Sequence, residues 1–159
     1  MPGVWVFPGG AVDRTDAGDS EAAHRACAVR ELEEEAGIAL PAGAEVLPWS
    51  RWITPEIVPV RFDTRFYVAR APAHSQPRPD GAETTESTWS SPAEALERHR
   101  AGGFDLVFPT IKHLESLLPF ASGDEVMAAA RDRVVEAVLP RVIGEGEGRR
   151  VVLPGEPGY

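Results

Sequence analysis

The most regular alternation of apolar and polar residues lies between Val60 and Ala69. A period of two residues places successive side chains on opposite faces of a strand, so this segment is predicted to be a β-strand. Val46 to Ile53 is a second predicted strand, which Pro48 interrupts. Two shorter segments, Val4–Phe7 and Glu86–Trp89, are also predicted to be strands.

Four other segments favour helices. A helix capped by Asp19 or Ser20 is predicted to run to about Ala36, with Gly37 ending it. The other predicted helices are Pro92–Arg100, Thr110–Leu118 and Asp124–Val138. The tail from Arg149 to Tyr159 is predicted to form either a strand and turn or a loose segment. Because strands and helices alternate irregularly, we expect an α/β (α+β) domain with a mixed sheet and helices on its faces.

The first helix carries an unusual cluster of acids. At about 100° per residue, Glu31, Glu34 and Glu35 fall within an arc of roughly 100° on the helix surface. Like charges at this spacing repel each other, and acids are disfavoured near the negative end of the helix dipole. A bound Mg²⁺ or Mn²⁺ would remove that penalty, because hard cations prefer oxygen ligands. The alternative interpretation is a solvated acidic face.

Composition narrows the function classes. The formal net charge is −9, and such an acidic excess repels nucleic acids. A small phosphorylated substrate remains compatible, because a divalent cation inverts the local field. No apolar run is long enough to span a membrane, and we expect no membrane partner. The single cysteine, Cys27, allows no internal disulfide, so we expect a cytoplasmic, reducing location.

The segment Arg30-Glu31-Leu32-Glu33-Glu34-Glu35-Ala36-Gly37-Ile38 matches every fixed position in the second half of the Nudix box, and Phe7-Pro8-Gly9-Gly10 is similar to the turn that opens it. The chain therefore resembles a Nudix hydrolase. The interval from Gly10 to Arg30 is six residues longer than the common form. The acidic position within that interval falls on Asp16 counted from Gly10 and beside Glu21 counted from Arg30, and both residues stay candidates.

The resemblance implies an α-β-α sandwich and a metal-dependent hydrolase of nucleoside-diphosphate-linked compounds. It assigns the metal ligands to Glu31, Glu34 and Glu35, and the orientation of Glu31 to Arg30. Gly9 and Gly10 are expected near the substrate, with the Gly10 carbonyl as a further oxygen donor. The implied cofactor is Mg²⁺ or Mn²⁺, which lowers the pKa of a bound water.

The general base has three candidates. Glu31 is slightly favoured, and Glu83 and Glu86 in the later segment Gly81–Trp89 are the alternatives. For both later acids, charge on a surface loop is an equally good interpretation.

The resemblance extends past the box. Segments around Arg51–Glu56 and Arg61–Phe66 are similar to the Nudix branch that includes coenzyme A and acyl-coenzyme A diphosphatases. Arg51, Arg61 and Arg65 are therefore expected to hold substrate phosphates bidentately, and cross-strand ion pairing is the equal alternative.

Domain organisation follows from the same resemblance. Residues 1–120 are expected to form the Nudix domain, short of one or more N-terminal strands, with a helix and tail in residues 121–159 packed on the same domain. A missing strand would expose a ladder edge, which predicts either lower stability or a homodimer through that edge. The competing function is a Nudix-fold binding or regulatory domain without turnover.

Overall fold

The computed structural model describes residues 3–16 and 21–159, and these residues form both α-helices and β-strands. The helices are α1 (Glu21–Ala36), α2 (Pro92–Arg100), α3 (Phe108–Leu117) and α4 (Gly123–Arg131). The strands are β1 (Val46–Ile53), β2 (Asp63–Ala69), β3 (Ala137–Val138), β4 (Arg141–Ile143) and β5 (Arg150–Val152). A short 3-10 turn, Gly146–Gly148, connects the last two strands.

The main sheet is mixed and has the order β2-β1-β3. β1 and β2 are antiparallel, with a bulge between Pro48 and Ser50, because a proline cannot donate to the ladder. β3 lies parallel to β1, with Arg51 opposite Ala137. β4 and β5 form a separate antiparallel hairpin, so of the two alternatives for the tail from Arg149 to Tyr159, the structure has the one with a strand.

A compact apolar cluster joins α2 and α3. Ala95 and Leu96 of α2 pack with Phe104 and with Leu114 of α3, and all four are buried. The Trp5 ring stacks on Phe104 with centroids 4.4 Å apart, so this cluster also anchors the N-terminal segment.

The end of α1 is set by Gly37, which has φ +63°, a conformation that favours glycine. The Gly37 amide donates to the Glu33 carbonyl, and the Ile38 amide donates to Leu32 at 3.4 Å. This is the expected C-terminal cap. The expected N-cap residues, Asp19 and Ser20, lie outside the described residues.

Two predicted strands are wrong. Val4–Phe7 forms an isolated bridge from Trp5 to Leu106 instead of a strand. Stacking of the Trp5 ring on Phe104 holds this segment in place. Glu86–Trp89 is irregular, and the Trp89 indole N–H donates to the Ser75 carbonyl.

Three element boundaries also differ from the sequence predictions. β2 begins at Asp63, because Thr54 and Phe62 already close the β1–β2 turn. α3 begins two residues before Thr110, with Pro109 in its first turn. α4 ends at Arg131, because the chain beyond it becomes extended and reaches β1 as β3. Within residues 3–16 and 21–159, no helix has the length and apolar character needed to cross a bilayer.

Candidate active site

The last turns of α1 place two carboxylates, those of Glu31 and Glu34, against the guanidinium of Arg30. Glu31 is buried at 9% exposure, whereas the Glu34 side chain is 58% exposed. One terminal nitrogen of Arg30, Nη1, donates to Glu31 Oε1 at 2.7 Å and to Glu34 Oε2 at 2.9 Å. Arg30 therefore offsets the repulsion that the helix would otherwise place between these two acids.

The opposite side of the Arg30 guanidinium contacts Asp16. Nε and Nη2 of Arg30 donate to the two Asp16 carboxylate oxygens at 3.2 and 3.0 Å. The Asp13 amide also donates to Asp16, which is only 5% exposed. The Arg30 bonds, followed by that amide, hold the pKa of Asp16 below its usual value. The same bond to Asp16 is the largest cause of a raised Arg30 pKa.

Glu21, the other candidate for this role, lies at the opposite end of α1. It accepts a 2.6 Å bond from Arg65 and a 2.7 Å bond from the Tyr67 hydroxyl. Asp16 is therefore the acid that contacts Arg30. Glu21 is the first residue of α1, and its partners Arg65 and Tyr67 lie on β2.

The Gly9–Gly10 turn lies directly against the carboxylates. The Gly9 amide donates to Glu35 Oε2 at 2.8 Å. A Cβ atom on Gly10 would overlap the Glu31 carboxylate, so a larger residue at this position would force the Glu31 side chain to move. The Gly10 carbonyl faces Cys27, whose Sγ lies 3.6 Å away.

Glu35 has a different environment from its two neighbours. Burial is the largest effect and raises the pKa of Glu35, while the Gly9 amide opposes that shift. The negative charges of Glu31, Glu83 and Asp80 raise it further. Glu83 therefore lies close enough to the helix end to influence Glu35 electrostatically.

The loop carrying Glu83 is built on an Asp80 turn that sequence reasoning did not single out. Asp80 accepts bonds from three amides, those of Ala82, Glu83 and Thr84, which together lower its pKa to about 2. The Thr84 hydroxyl donates to the Glu35 carbonyl at 2.9 Å, and thus attaches the loop to the end of α1. The Asp80-Gly81 pair was the available sequence signal, because such pairs favour tight turns.

Beside Glu35 lies a cavity of about 280 Å³. Most of its wall is apolar, and Glu86 and Glu35 are its carboxylates. The apolar wall includes Trp5, Phe7, Leu32, Ile38, Trp89, Phe104 and Leu114. The expected catalytic residue Glu86 therefore faces the same space as Glu35 and is itself exposed.

The three arginines expected at the substrate have protein partners. Arg51 forms a bidentate pair with Asp63, at 2.8 and 2.5 Å. Nε of Arg61 donates to the Thr54 carbonyl at 2.9 Å. Arg65 pairs with Glu21, as described above. Ion pairing with Asp63 on the neighbouring strand thus accounts for the position of Arg51, and ion pairing with Glu21 of α1 accounts for that of Arg65.

The donor chemistry of the α1 acids suits a hard divalent cation, because all donors are carboxylate oxygens next to a backbone turn. Among the described residues, however, no three acidic, histidine or cysteine side chains converge on one point that could hold a metal ion. In this arrangement the Arg30 guanidinium bonds to both Glu31 and Glu34.

Comparison with known families agrees with this arrangement. The model of the NUDIX domain matches residues 1–108. The chain belongs to the Nudix family. The crystal structure of a NUDIX hydrolase from Alicyclobacillus acidocaldarius superimposes with a TM-score of 0.71 at 25% identity, covering 80% of this chain and 81% of that one. The expected Nudix-type α/β fold with a mixed sheet is therefore confirmed.

Three curated proteins are also similar in sequence to this chain. The acyl-coenzyme A diphosphatase NUDT19 of Gallus gallus is 33% identical over 70% of this chain and 32% of its own length. The protein of the same name from Xenopus laevis is 30% identical over 70% of this chain and 31% of its own length. The Caenorhabditis elegans protein named putative nudix hydrolase 7 is 31% identical over 74% of this chain and 51% of its own length. The chain thus spans from about a third to half of these relatives.

Proposed function

We propose that this Nudix domain hydrolyses the diphosphate bond of a nucleoside-diphosphate-linked small molecule with Mg²⁺ or Mn²⁺ as cofactor. The observation that carries the proposal is the contact between the α1 carboxylates and the Gly9–Gly10 turn. Glu35 accepts a hydrogen bond from the Gly9 amide, and Glu31 lies so close to Gly10 that a Cβ atom there would displace the Glu31 carboxylate. An acidic face that served only solubility would not need this packing.

In this proposal Glu31, Glu34 and Glu35 hold the cation. When bound, the cation supplies neutralisation of diphosphate charge and a lower pKa for a coordinated water. Glu31 takes the proton from the attacking water, because it is buried and oriented by Arg30. Glu86 is the second candidate base, supported by its place in the cavity beside Glu35.

The finer proposal for the substrate is coenzyme A or an acyl-coenzyme A. The names of the Gallus gallus and Xenopus laevis relatives support it. The apolar cavity beside Glu35 also supports it, because a volume of about 280 Å³ next to the scissile site accepts an apolar group of the substrate. Gly9 and Gly10, with Arg61 on the β1–β2 turn, are the proposed contacts to substrate phosphates.

One assay tests the proposal. Coenzyme A, an acyl-coenzyme A, a nucleotide sugar, NADH and a dinucleoside polyphosphate are incubated with the protein and Mg²⁺, and phosphate-bond cleavage is followed by product chromatography. We expect cleavage of at least one compound, lost in Glu34→Gln and retained in Glu33→Gln, which alters an exposed acid of the same helix. A folded protein that cleaves none of them would refute the hydrolase.

The second candidate function is a Nudix-fold binding domain without turnover. It is favoured by one observation, the simultaneous bonds from Arg30 to Glu31 and Glu34, which give both acids a cationic partner within the protein. For this candidate we expect substrate binding without cleavage, measured by calorimetry on the compounds of the same panel.

We also propose that residues 121–159 pack on the domain formed by residues 1–120. The pairing of β3 with β1 supports this, as do the bonds from Arg131 to Glu45 and from Arg133 to the Trp49 carbonyl. A chain ending at residue 120 should therefore unfold at lower temperature than the full chain. The homodimer stays a prediction, which sedimentation equilibrium tests.

A further inference from the structure

A second cavity, of about 230 Å³, lies at the other end of α1. It is bounded by β1, β2 and the segment that links α4 to β3. In the part of the chain that the structure describes, its charged lining residues are three arginines, Arg51, Arg65 and Arg133, and one acid, Glu21. We call this space the arginine cavity.

The charge of the arginine cavity is opposite to that of the chain. The whole protein carries a formal net charge of −9, whereas this cavity gathers three guanidinium groups. Two acids offset them, because Glu21 pairs with Arg65, and Asp63 pairs with Arg51. Within the described part of the chain, Arg133 forms no ion pair, so the cavity keeps an excess positive charge.

Arg133 is held in place without a carboxylate. Its Nε donates to the Trp49 carbonyl at 2.6 Å, and its guanidinium lies 4.3 Å above the Trp49 ring. This stacking fixes the plane of the guanidinium and leaves its two terminal nitrogens available to a ligand.

The other two arginines also keep unused donors. Arg65 donates from one terminal nitrogen to Glu21, while its Nε is buried and has no hydrogen-bond partner among the described residues. An unsatisfied buried donor is destabilising, so an acceptor there would be stabilising. Arg51 uses Nε and one terminal nitrogen on Asp63, and its second terminal nitrogen remains.

We propose that the arginine cavity binds an anion of the phosphate type, either inorganic phosphate or a phosphomonoester. Three forked donors suit tetrahedral oxyanions. The volume exceeds that of a phosphate alone, and Pro48, Phe66 and Val135 supply apolar wall for an attached organic group.

This site is separate from the carboxylate cluster. Glu21 and Glu31 are ten residues apart on α1, which corresponds to roughly 15 Å along the helix axis. The anion is therefore bound apart from the proposed diphosphate site, and the proposal does not rest on the hydrolase function.

Titration with inorganic phosphate in the absence of metal tests the site, with calorimetry or ³¹P NMR as readout and potassium chloride as the ionic-strength control. We expect Arg133→Gln to weaken binding roughly tenfold, because it removes a charge-assisted donor pair, and Arg133→Lys to fall between. Arg131→Gln is the matched control, since Arg131 pairs with Glu45 outside the cavity.

A variant with the opposite sign guards against misfolding as an explanation. Among the described residues, Glu21 carries the only carboxylate on the cavity wall, so we expect Glu21→Gln to bind phosphate severalfold more tightly than the unaltered protein. No phosphate binding by the unaltered protein, or equal weakening in Arg133→Gln and Arg131→Gln, would overturn the proposal.

Two probes separate the two sources of the anion. Inorganic phosphate and a small phosphomonoester, phenyl phosphate, are titrated in parallel. If the cavity holds a phosphomonoester, phenyl phosphate binds more tightly, because its organic group contacts the apolar wall of Pro48, Phe66 and Val135. Equal or weaker binding of phenyl phosphate assigns the cavity to inorganic phosphate.

Discussion

At the start of α1, the Glu21 carboxylate is matched by two donors, the Arg65 guanidinium and the Tyr67 hydroxyl. In the last turns of the same helix, two glutamates share the guanidinium of Arg30, and Glu35 has the Gly9 amide. The helix dipole favours an acid at the first end and disfavours acids at the second. The charge of Glu21 is thus compensated within the fold. The acids in the last turns of α1 carry more negative charge than Arg30 compensates, which is what a cation site requires.

The largest expected effect comes from the crowded end of the helix. Glu31→Gln should lower kcat by roughly 10²–10⁴-fold, because it removes a general base and a cation ligand at once. Steady-state hydrolysis of the preferred compound from the substrate panel measures this. Glu33→Gln, an isosteric change at an exposed position of α1, is the control. Equal activity of the two variants would place the chemistry elsewhere.

Gly10→Ala should have the next largest effect. The new methyl group overlaps the Glu31 carboxylate and must displace it. Displacement of a reacting group by about 1 Å costs on the order of 10²-fold in rate, so kcat should fall by about that factor. Gly9→Ala is the comparison, since a Cβ there meets no atom within 4 Å. A fully active Gly10→Ala enzyme would show that this close approach has no functional role.

Asp16→Asn should have a smaller effect, through Arg30. The variant removes one carboxylate charge from a guanidinium that also orients Glu31. Loss of such an outer contact typically costs about 10–100-fold in metal affinity or activity, and we expect the lower end of that range. Asp16→Glu should recover part of the loss. The decisive readout is the Mn²⁺ dissociation constant, which a change in stability alone would not move in the folded protein.

At the start of α1, where Arg65 and Tyr67 compensate Glu21, we expect a substitution to change only the free energy of unfolding. Burial, then the bond to Glu21, raises the pKa of the Tyr67 hydroxyl above its ordinary value of 10.0. The unfolded chain therefore loses this proton first as the pH rises. The stabilisation is complete below about pH 10 and decreases above it. Chemical denaturation at pH values from about 8 to 11, which bracket the tyrosine pKa, measures this. The free energy of unfolding should fall more steeply with rising pH for the unaltered protein than for Tyr67→Phe. Tyr159→Phe, at an exposed tyrosine, should leave the decline unchanged.

Local patterns predicted much of this fold. The end of α1 at Gly37 and the bounds of α2 follow from glycine and proline chemistry within a few residues, and the structure agrees with both. β1 is also as predicted, including its disturbance near Pro48. These features depend on neighbours in the sequence, which is why one sequence sufficed.

Long-range contacts explain the features that were not predicted. The apolar residues of 124–138 have helical spacing, yet the chain leaves the helix at Arg131 so that Ala137–Val138 can pair with β1. At the site, spacing predicted the acids of α1 but left Asp16 and Glu21 undecided. Only the folded loop brings Asp16 to Arg30. Likewise, the partners of Arg51 and Arg65 lie on other elements.

Binding of Mn²⁺ to the protein tests the account of the α1 carboxylates most directly, because it needs no substrate. Electron paramagnetic resonance of free Mn²⁺ should show one saturable site in the unaltered protein and in Glu33→Gln. Glu34→Gln should bind at least about tenfold more weakly, since it removes a carboxylate ligand. Equal Mn²⁺ affinity in Glu34→Gln and Glu33→Gln, or no saturable site in the unaltered protein, would contradict the assignment of a cation to this end of α1.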